Sequence, residues 1–210
     1  MPNVRSIAGN GKSMNTQEFE PQLIIAEIKA LLHAAWNTTD DFRYDRLIAW
    51  ANELLQPLLD IEYPEALWIK CSMPISADEF ISDEEFDKRH LAEVRKAAEA
   101  GNISAKFDLA CTLDEEPTMV ESASLFKEAA EAGHVYSKWC HGLNLLSGRG
   151  IAKDEDLGLA FIKEAGDEKF EGAIKFIADA YANGTYGYPK DEEKSAIWWK
   201  KLSHKDVVHY

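Results

Sequence analysis

The side chains of this 210-residue chain best suited to nucleophilic chemistry are Cys140 and His141, which stand side by side. A thiol nucleophile needs a base within hydrogen-bond reach and a third group to orient that base. Consecutive residues of a helix point about 100° apart, so these two do not face each other, and nothing nearby supplies the third group. Both read as packing residues, and no catalytic residue is assigned. The six histidines, at 33, 90, 134, 141, 204 and 209, form no i, i+4 pair placed with a carboxylate as in zinc hydrolases. Cys71, Cys111 and Cys140 form no CxxC or comparable ligand spacing. Asp154-Glu-Asp156-Leu-Gly158 resembles a calcium loop superficially, but it lacks the third oxygen ligand and the closing glutamate. Gly148-Arg-Gly150 lacks the Lys-Ser/Thr that would complete a phosphate cradle. Carboxylate pairs are plentiful, yet none sits in an apolar context that would drive two pKa values apart. The expectation is a chain with no metal, no cofactor and no enzymatic activity.

The charge balance narrows the partners. The formal charge is −14, whereas nucleic acid and anionic membranes call for clustered Lys and Arg. Neither is expected as a partner; a basic protein or peptide is. The acids concentrate between Asp78 and Glu121, where 13 of them face 5 bases, which reads as a solvated face or a docking surface for a basic partner. An odd, low cysteine count suits a reducing compartment. The first 15 residues, MPNVRSIAGNGKSMN, contain no apolar core of a secretory signal, and no apolar run approaches the ~20 residues of a membrane span. A cytoplasmic location is expected, with residues 1–16 a flexible tail and Met14 an alternative start to Met1.

Any site must be carried by helices, because apolar residues recur at three and four throughout and strand-like alternation is nearly absent. Asn15 with Glu18 reads as a capping pair before a first helix bearing Ile24, Ile28, Leu31, Leu32 and Ala35. Asn37-Thr-Thr-Asp40 breaks that helix and caps a second, with a stripe of Tyr44, Leu47, Ile48, Ala51, Leu54, Leu55 and Leu58. Pro57 and Pro64 are expected to mark its end and the entry to a third. Ser82 to Glu85 fits a capping box before a helix that reaches Ala100. Residues 17–59 are read as a capping helical hairpin, and 60–210 as a solenoid.

The solenoid reading rests on a repeated phrase. KAAEAG at Lys96–Gly101 recurs as KEAAEAG at Lys127–Gly133 and as IKEAG at Ile162–Gly166. Ala97, Ala129 and Ala165 are then 32 and 36 residues apart, and Ala105, Ser137 and Ala173 share another column, which Ala66 joins. Gly148 falls over Gly184, and Leu125-Phe126 over Phe161-Ile162 and Trp198-Trp199. Self-similarity at this period means stacked helix pairs, none of which can bury its apolar side alone. The units are a degenerate one at 60–100, with a long loop from Ser72 to Ile81, and repeats at about 91–127, 128–164 and 165–204. Small residues let backbones approach, Gly101 and Gly133 suit a left-handed helix end, and Asp154 and Asp191 suit N-caps.

The stretch AEAGHVYSKWCHGLNLLSGRGIAKDEDLGLAFIKEAG, with its AEAG turn, Gly142, the Gly148-x-Gly150 loop and Asp154, resembles a Sel-one-like repeat, a relative of the tetratricopeptide repeat. The resemblance extends over Leu91 to His204. It departs at Asp114–Pro117, which replaces the Gly-x-Gly loop; at Lys169, where a turn glycine belongs; and at His141, where the family has Leu. It implies an all-α fold, a right-handed α/α superhelix of antiparallel helix pairs in which the first helix of each pair lines a concave groove. One secreted subgroup reported to bind or cleave β-lactams carries repeated Cys pairs; this chain has none, so that activity is not implied. Read down the first helices, the groove columns give Trp68, Ser104, Phe107, Tyr136, Trp139, Leu143, Lys175 and Asp179 as partner-binding residues, with packing between units the competing role for the three large rings of one column, Trp68, Phe107 and Trp139. The expected function is a protein-binding scaffold or adaptor. The alternatives are an immunity protein that neutralises a toxin and, less favoured, a thiol-dependent hydrolase. Trp198 and Trp199 at the last helix are a candidate surface for weak self-association.

Overall fold

The computed structural model of the chain describes residues 20–73 and 82–202. The proposed Asn15–Glu18 cap, the 1–16 tail, most of the loop from Ser72 to Ile81 and the last eight positions lie outside them. Ten helices and no β-strand occur among the described residues. The chain divides into two compact units, one up to Gln56 and one from Pro57 onward.

In the first unit, α1 (Pro21–Trp36) opens on Pro21, whose missing N–H has no helical acceptor to lose at that position. Its buried stripe is Ile25, Ile28, Leu31, Leu32 and Ala35, so Ile25 takes the place expected of Ile24, which is half-buried. Both lie within one turn of Ile28 on the same side, and the stripe is centred one residue later. Asn37 Nδ2 donates to the His33 carbonyl at 2.7 Å, and Asp40 Oδ1 accepts from the Arg43 N–H at 3.0 Å. The break therefore ends α1 and caps α2 (Asp41–Asp60).

Pro57 does not end α2; the helix runs through it to Asp60. An interior proline forfeits one backbone hydrogen bond and costs about 3 kcal/mol. The turn beyond it is held because Leu58 is fully buried and its carbonyl accepts from the Tyr63 N–H at 2.9 Å.

The second unit continues with α3 (Pro64–Ser72), α4 (Asp83–Glu99), α5 (Ile103–Thr112), α6 (Met119–Glu131), α7 (Val135–Ser147), α8 (Glu155–Asp167), α9 (Glu171–Asn183) and α10 (Glu192–Lys201). From α3 to α10 each helix packs most extensively on its neighbours within that run, the pattern of stacked hairpins. Ser82 caps α4 by accepting from the Glu85 N–H at 3.3 Å. The Glu85 carboxylate pairs with Arg89 at 2.9 Å, which leaves the expected capping box one-sided.

One turn recurs four times. The N–H of Asn102 bonds the Ala97 carbonyl at 3.0 Å, and that of Gly101 bonds Ala98 at 3.0 Å. His134 and Gly133 repeat this on Ala129 and Ala130, Phe170 and Lys169 on Ala165 and Gly166, and Tyr63 and Glu62 on Leu58 and Leu59. This is a Schellman turn, and its penultimate residue must be left-handed. Gly101 and Gly133 meet that need at φ +100° and +94°; Glu62 and Lys169 adopt φ +53° and +68° with a Cβ in place. A left-handed non-glycine residue costs roughly 1–2 kcal/mol, partly offset by glycine's larger unfolded-state entropy. Lys169→Gly is therefore expected to stabilise the chain by about 0.5–1 kcal/mol, read as a raised urea midpoint.

The columns of small residues are the contact surfaces. Ala66, Ala105, Ser137 and Ala173 on the first helices, and Ala97, Ala129 and Ala165 on the second, have no exposed surface. A close backbone approach joins α7 to α8. A Cβ on Gly142 would lie 2.8 Å from the Gly158 carbonyl oxygen, and one on Gly158 would lie 2.8 Å from that of Gly142. Ion pairs repeat as well: Lys106–Glu128 at 2.5 Å ties α5 to α6, and Lys138–Glu164 at 3.2 Å ties α7 to α8.

At α10 the aromatic pair is packed differently from its counterparts. Phe126 and Ile162 are buried, but the aligned Trp199 is 41% exposed while Trp198 is buried. Trp198 reaches back to α8, where a Cβ on Gly166 would meet its ring at 3.0 Å, and Lys201 Nζ lies 3.3 Å from its ring centroid. Burial has moved to the first tryptophan because the bare face at Gly166 accepts a ring there.

Candidate functional site

The first helices of the stacked pairs, α3, α5, α7 and α9, present the residues singled out from the sequence. Ser104, Lys175 and Asp179 are exposed, and Trp68, Phe107, Tyr136, Trp139 and Leu143 are half-buried. The rings of α5, α7 and α9 connect. Phe107 lies 4.9 Å from Tyr136 between ring centroids, Tyr136 lies 5.1 Å from Phe170, and Trp139 lies 5.8 Å from Phe170 and 5.9 Å from Phe176. Trp68 packs against the cluster containing Leu67, Val94 and Leu109, and Trp139 and Leu143 against the one containing Ile162, Ile174 and Ile177. Each large ring thus has one side anchored in the interior and an edge left at the surface. Lys175 is ion-paired with Glu171 one turn earlier.

Three contributors escaped the sequence reading: His134, Phe170 and Phe176. His134 and Phe170 are the N-cap residues of α7 and α9, immediately after the left-handed turn residue. His134 lies 4.8 Å from Phe107, and its Nδ1 accepts from the Ser137 N–H at 3.3 Å. Burial lowers its pKa, so the neutral ring that serves as acceptor is the favoured form. Columns counted within a helix pass over the cap position; counting from the turn residue instead aligns Tyr63, Asn102, His134 and Phe170.

Beside this face, α4 and α5 enclose an open depression of about 700 Å³ lined by Asp87, Lys88, His90, Leu91, Val94, Asp108, Cys111 and Thr112. It lies where the first helices are short: α3 has 9 residues and α5 has 10, against 13 in α7 and in α9. Burial raises the pKa of Asp108, with His90 opposing the shift. Leu91 and Val94 supply an apolar lining and Asp87 and Asp108 a carboxylate edge, a setting that suits the aliphatic stem and cationic head of Lys or Arg.

The chemistry considered for the cysteines has poor footing here. Burial pushes the Cys140 thiol up to about 12, and Cys71 and Cys111 up to about 11, so little thiolate exists near neutral pH. His141 is buried with its ring 4.8 Å from Phe161 of α8, inside the hairpin. Gly148-Arg-Gly150 is a turn: Gly148 is the left-handed cap of α7, and a Cβ on Gly150 would lie 2.4 Å from the Met119 carbonyl oxygen. Asp154 caps α8 by accepting from the Leu157 N–H at 3.0 Å. Among the described residues, no group of three or more His, Cys, Asp or Glu side chains is placed to hold a metal ion. No described helix is long and apolar enough to cross a membrane.

The same architecture occurs in solved structures. One is a Sel1 repeat protein from Oxalobacter formigenes, with a TM-score of 0.56 and 20% identity, over 76% of this chain and 64% of that one. Another is a protective antigen present in uropathogenic Escherichia coli strains and displaying an SLR fold, with a TM-score of 0.65 and 16% identity, over 87% of this chain and 38% of that one. This chain thus spans less than two thirds of the length of either. The sequence matches no protein-family model and no curated protein. At these identities the likeness establishes the fold: the chain has an all-α helical repeat fold similar to that of these SLR proteins.

Proposed function

We propose that this chain is a non-enzymatic scaffold that holds a protein or peptide partner along the face formed by α3, α5, α7 and α9. The observation that carries the reading is the connected set of half-buried rings, Phe107, Tyr136 and Trp139, continued by exposed Lys175 and Asp179. Rings fixed on one side by packing lose little freedom on binding, which is why aromatic anchors dominate interface energetics. Trp68, Ser104 and Leu143 extend the same face.

The partner's chemistry follows from charge. Asp83, Glu84, Asp87, Glu115 and Glu116 are exposed, and Asp87 with Asp108 borders the depression beside the face. A cationic segment is the complement. The same acidic surface supports a second reading, an inhibitor that blocks the basic active site of a toxin. One tight, salt-sensitive partner favours the inhibitor; several weak ones favour the adaptor.

The test is capture of partners from the native cell by the intact chain, by Trp139→Ala/Lys175→Glu, and by Lys175→Glu/Asp179→Lys. Both double variants are expected to reduce specific enrichment by about tenfold or more, with the far-UV helical signal retained. The second alters only exposed side chains, so unchanged capture by a folded Lys175→Glu/Asp179→Lys protein would remove α9 from the site.

A further inference from the structure

The α2 helix carries apolar side chains on two separate faces. Tyr44, Ile48, Ala51 and Leu55 form its buried or half-buried stripe. A different face presents Phe42, Arg43, Arg46, Leu47, Trp50 and Glu53, which line a shallow depression of about 430 Å³. Phe42 is 72% exposed and Trp50 is 50% exposed, unusual for two large rings on one helix. The charges of this face are also unspent. Arg89, Arg95 and Arg149 are ion-paired, whereas Arg43 and Arg46 have no carboxylate partner among the described residues. Arg46 lies only over the Phe42 ring, at 5.9 Å, and Glu53 likewise has no cationic partner among the described residues.

The spacing of these groups is self-complementary. We infer that this face of α2 binds the same face of a second copy of the chain, the two helices antiparallel about a two-fold axis level with Ile48. That operation sets Arg43 opposite the partner's glutamate at position 53, and Arg46 opposite its tryptophan at position 50, each pair occurring twice. The positions 43, 46, 50 and 53 follow the three-and-four spacing of a helix seam. Arg43 and Glu53 are about 15 Å apart along the axis, so both pairs form without bending either helix. A two-fold interface requires one patch to carry both halves of every contact, and this patch carries cation, anion and ring together. A chain of net charge −14 repels its own copy over most of its surface, which favours contact where unpaired arginines are concentrated.

One helix pair buries a small area, so the dimer is expected to be weak, with a dissociation constant of about 1–50 μM. Sedimentation velocity of the full chain across that range tests it. Wild type is expected to shift from monomer to dimer, and Arg43→Glu to weaken association about tenfold or more, since it sets like charges opposite each other twice. Arg43→Glu/Glu53→Arg restores opposite charges and is expected to return to within about threefold of wild type. Both variants alter only exposed side chains, and far-UV circular dichroism checks that each is folded. A wild type that stays monomeric throughout overturns the inference. So does association that the single swap leaves unchanged, or that is lost instead in Ile197→Lys/Trp199→Lys, which would locate it on α10.

Discussion

Gly142→Ala is expected to destabilise the chain by about 2 kcal/mol, against the direction helix propensity alone would give. Alanine in a helix interior is favoured over glycine by about 1 kcal/mol, and Gly142 lies in the middle of α7. The added methyl, however, would sit 2.7 Å from Ile162 Cγ1 and 2.8 Å from the Gly158 carbonyl oxygen. A side-chain tip can rotate away; a backbone oxygen moves only if α8 moves. Overpacking of this kind costs about 1–3 kcal/mol or somewhat more, which outweighs the propensity gain. Gly158→Ala meets the reciprocal obstacle, the Gly142 carbonyl at 2.8 Å. The double variant should therefore cost less than the sum of the two, because one separation of the helices accommodates both methyls. Urea unfolding of the two single variants and the double, followed by helical circular dichroism, checks magnitude and coupling; a neutral Gly142→Ala would mean the two helices are free to part.

The second large effect concerns His141. It is 1% exposed, its Nδ1 has no hydrogen-bond partner among the described residues, and its ring rests on Phe161. A buried polar atom left unsatisfied costs about 1–3 kcal/mol, so His141→Leu, which also restores the apolar side chain of the resembled repeat, is expected to stabilise by about 1–2 kcal/mol at pH 7.5. The gain should widen in acid. Burial lowers the pKa of His141 in the fold, Lys127 adds to the shift, and Glu131 opposes it. Well above pH 6.5 the ring is neutral in both folded and unfolded chains, and no protonation penalty exists. As pH falls through 6.5 the unfolded chain takes up a proton that the folded chain refuses. Stability then declines by up to about 1.4 kcal/mol per pH unit for each such group, until the folded-state pKa is reached. His134 has the same sign, and protonation would also remove the lone pair that caps α7. Unfolding midpoints at pH 7.5 and 5.5 should show His141→Leu with a shallower acid loss than wild type, the remainder coming from His134. An identical acid slope in both proteins would show that His141 is protonated without penalty in the fold.

Much of the second unit was legible because its constraints are local and repeated. An alanine over an alanine at 32 or 36 residues is visible in a string of letters, and those positions proved to be the fully buried contact columns. Turns written with glycine were found; the same turn at Glu62 was missed, because a left-handed glutamate carries no distinguishing letter. Pro57 misled for the opposite reason: its local penalty is real, but burial of Leu58 outweighs it, and burial is a property of the packed chain. The exchange of roles between Trp198 and Trp199 depended on a bare backbone at Gly166, on another helix. At the candidate site, the helix columns named the half-buried rings. The cap residues His134 and Phe170, which connect them, belong to a register that starts at the turn.

Within the second unit, packing of each helix chiefly on its chain neighbours makes the stack a ruler as much as a receptacle. A hairpin can be duplicated or excised between two of the recurring turns while the others keep their contacts, because no central core is shared by all of them. Reach along the face therefore changes in whole hairpins, whereas preference for a particular guest changes one ring or one charge at a time. Evolution can adjust the two separately, by copy number in one case and by point substitution in the other.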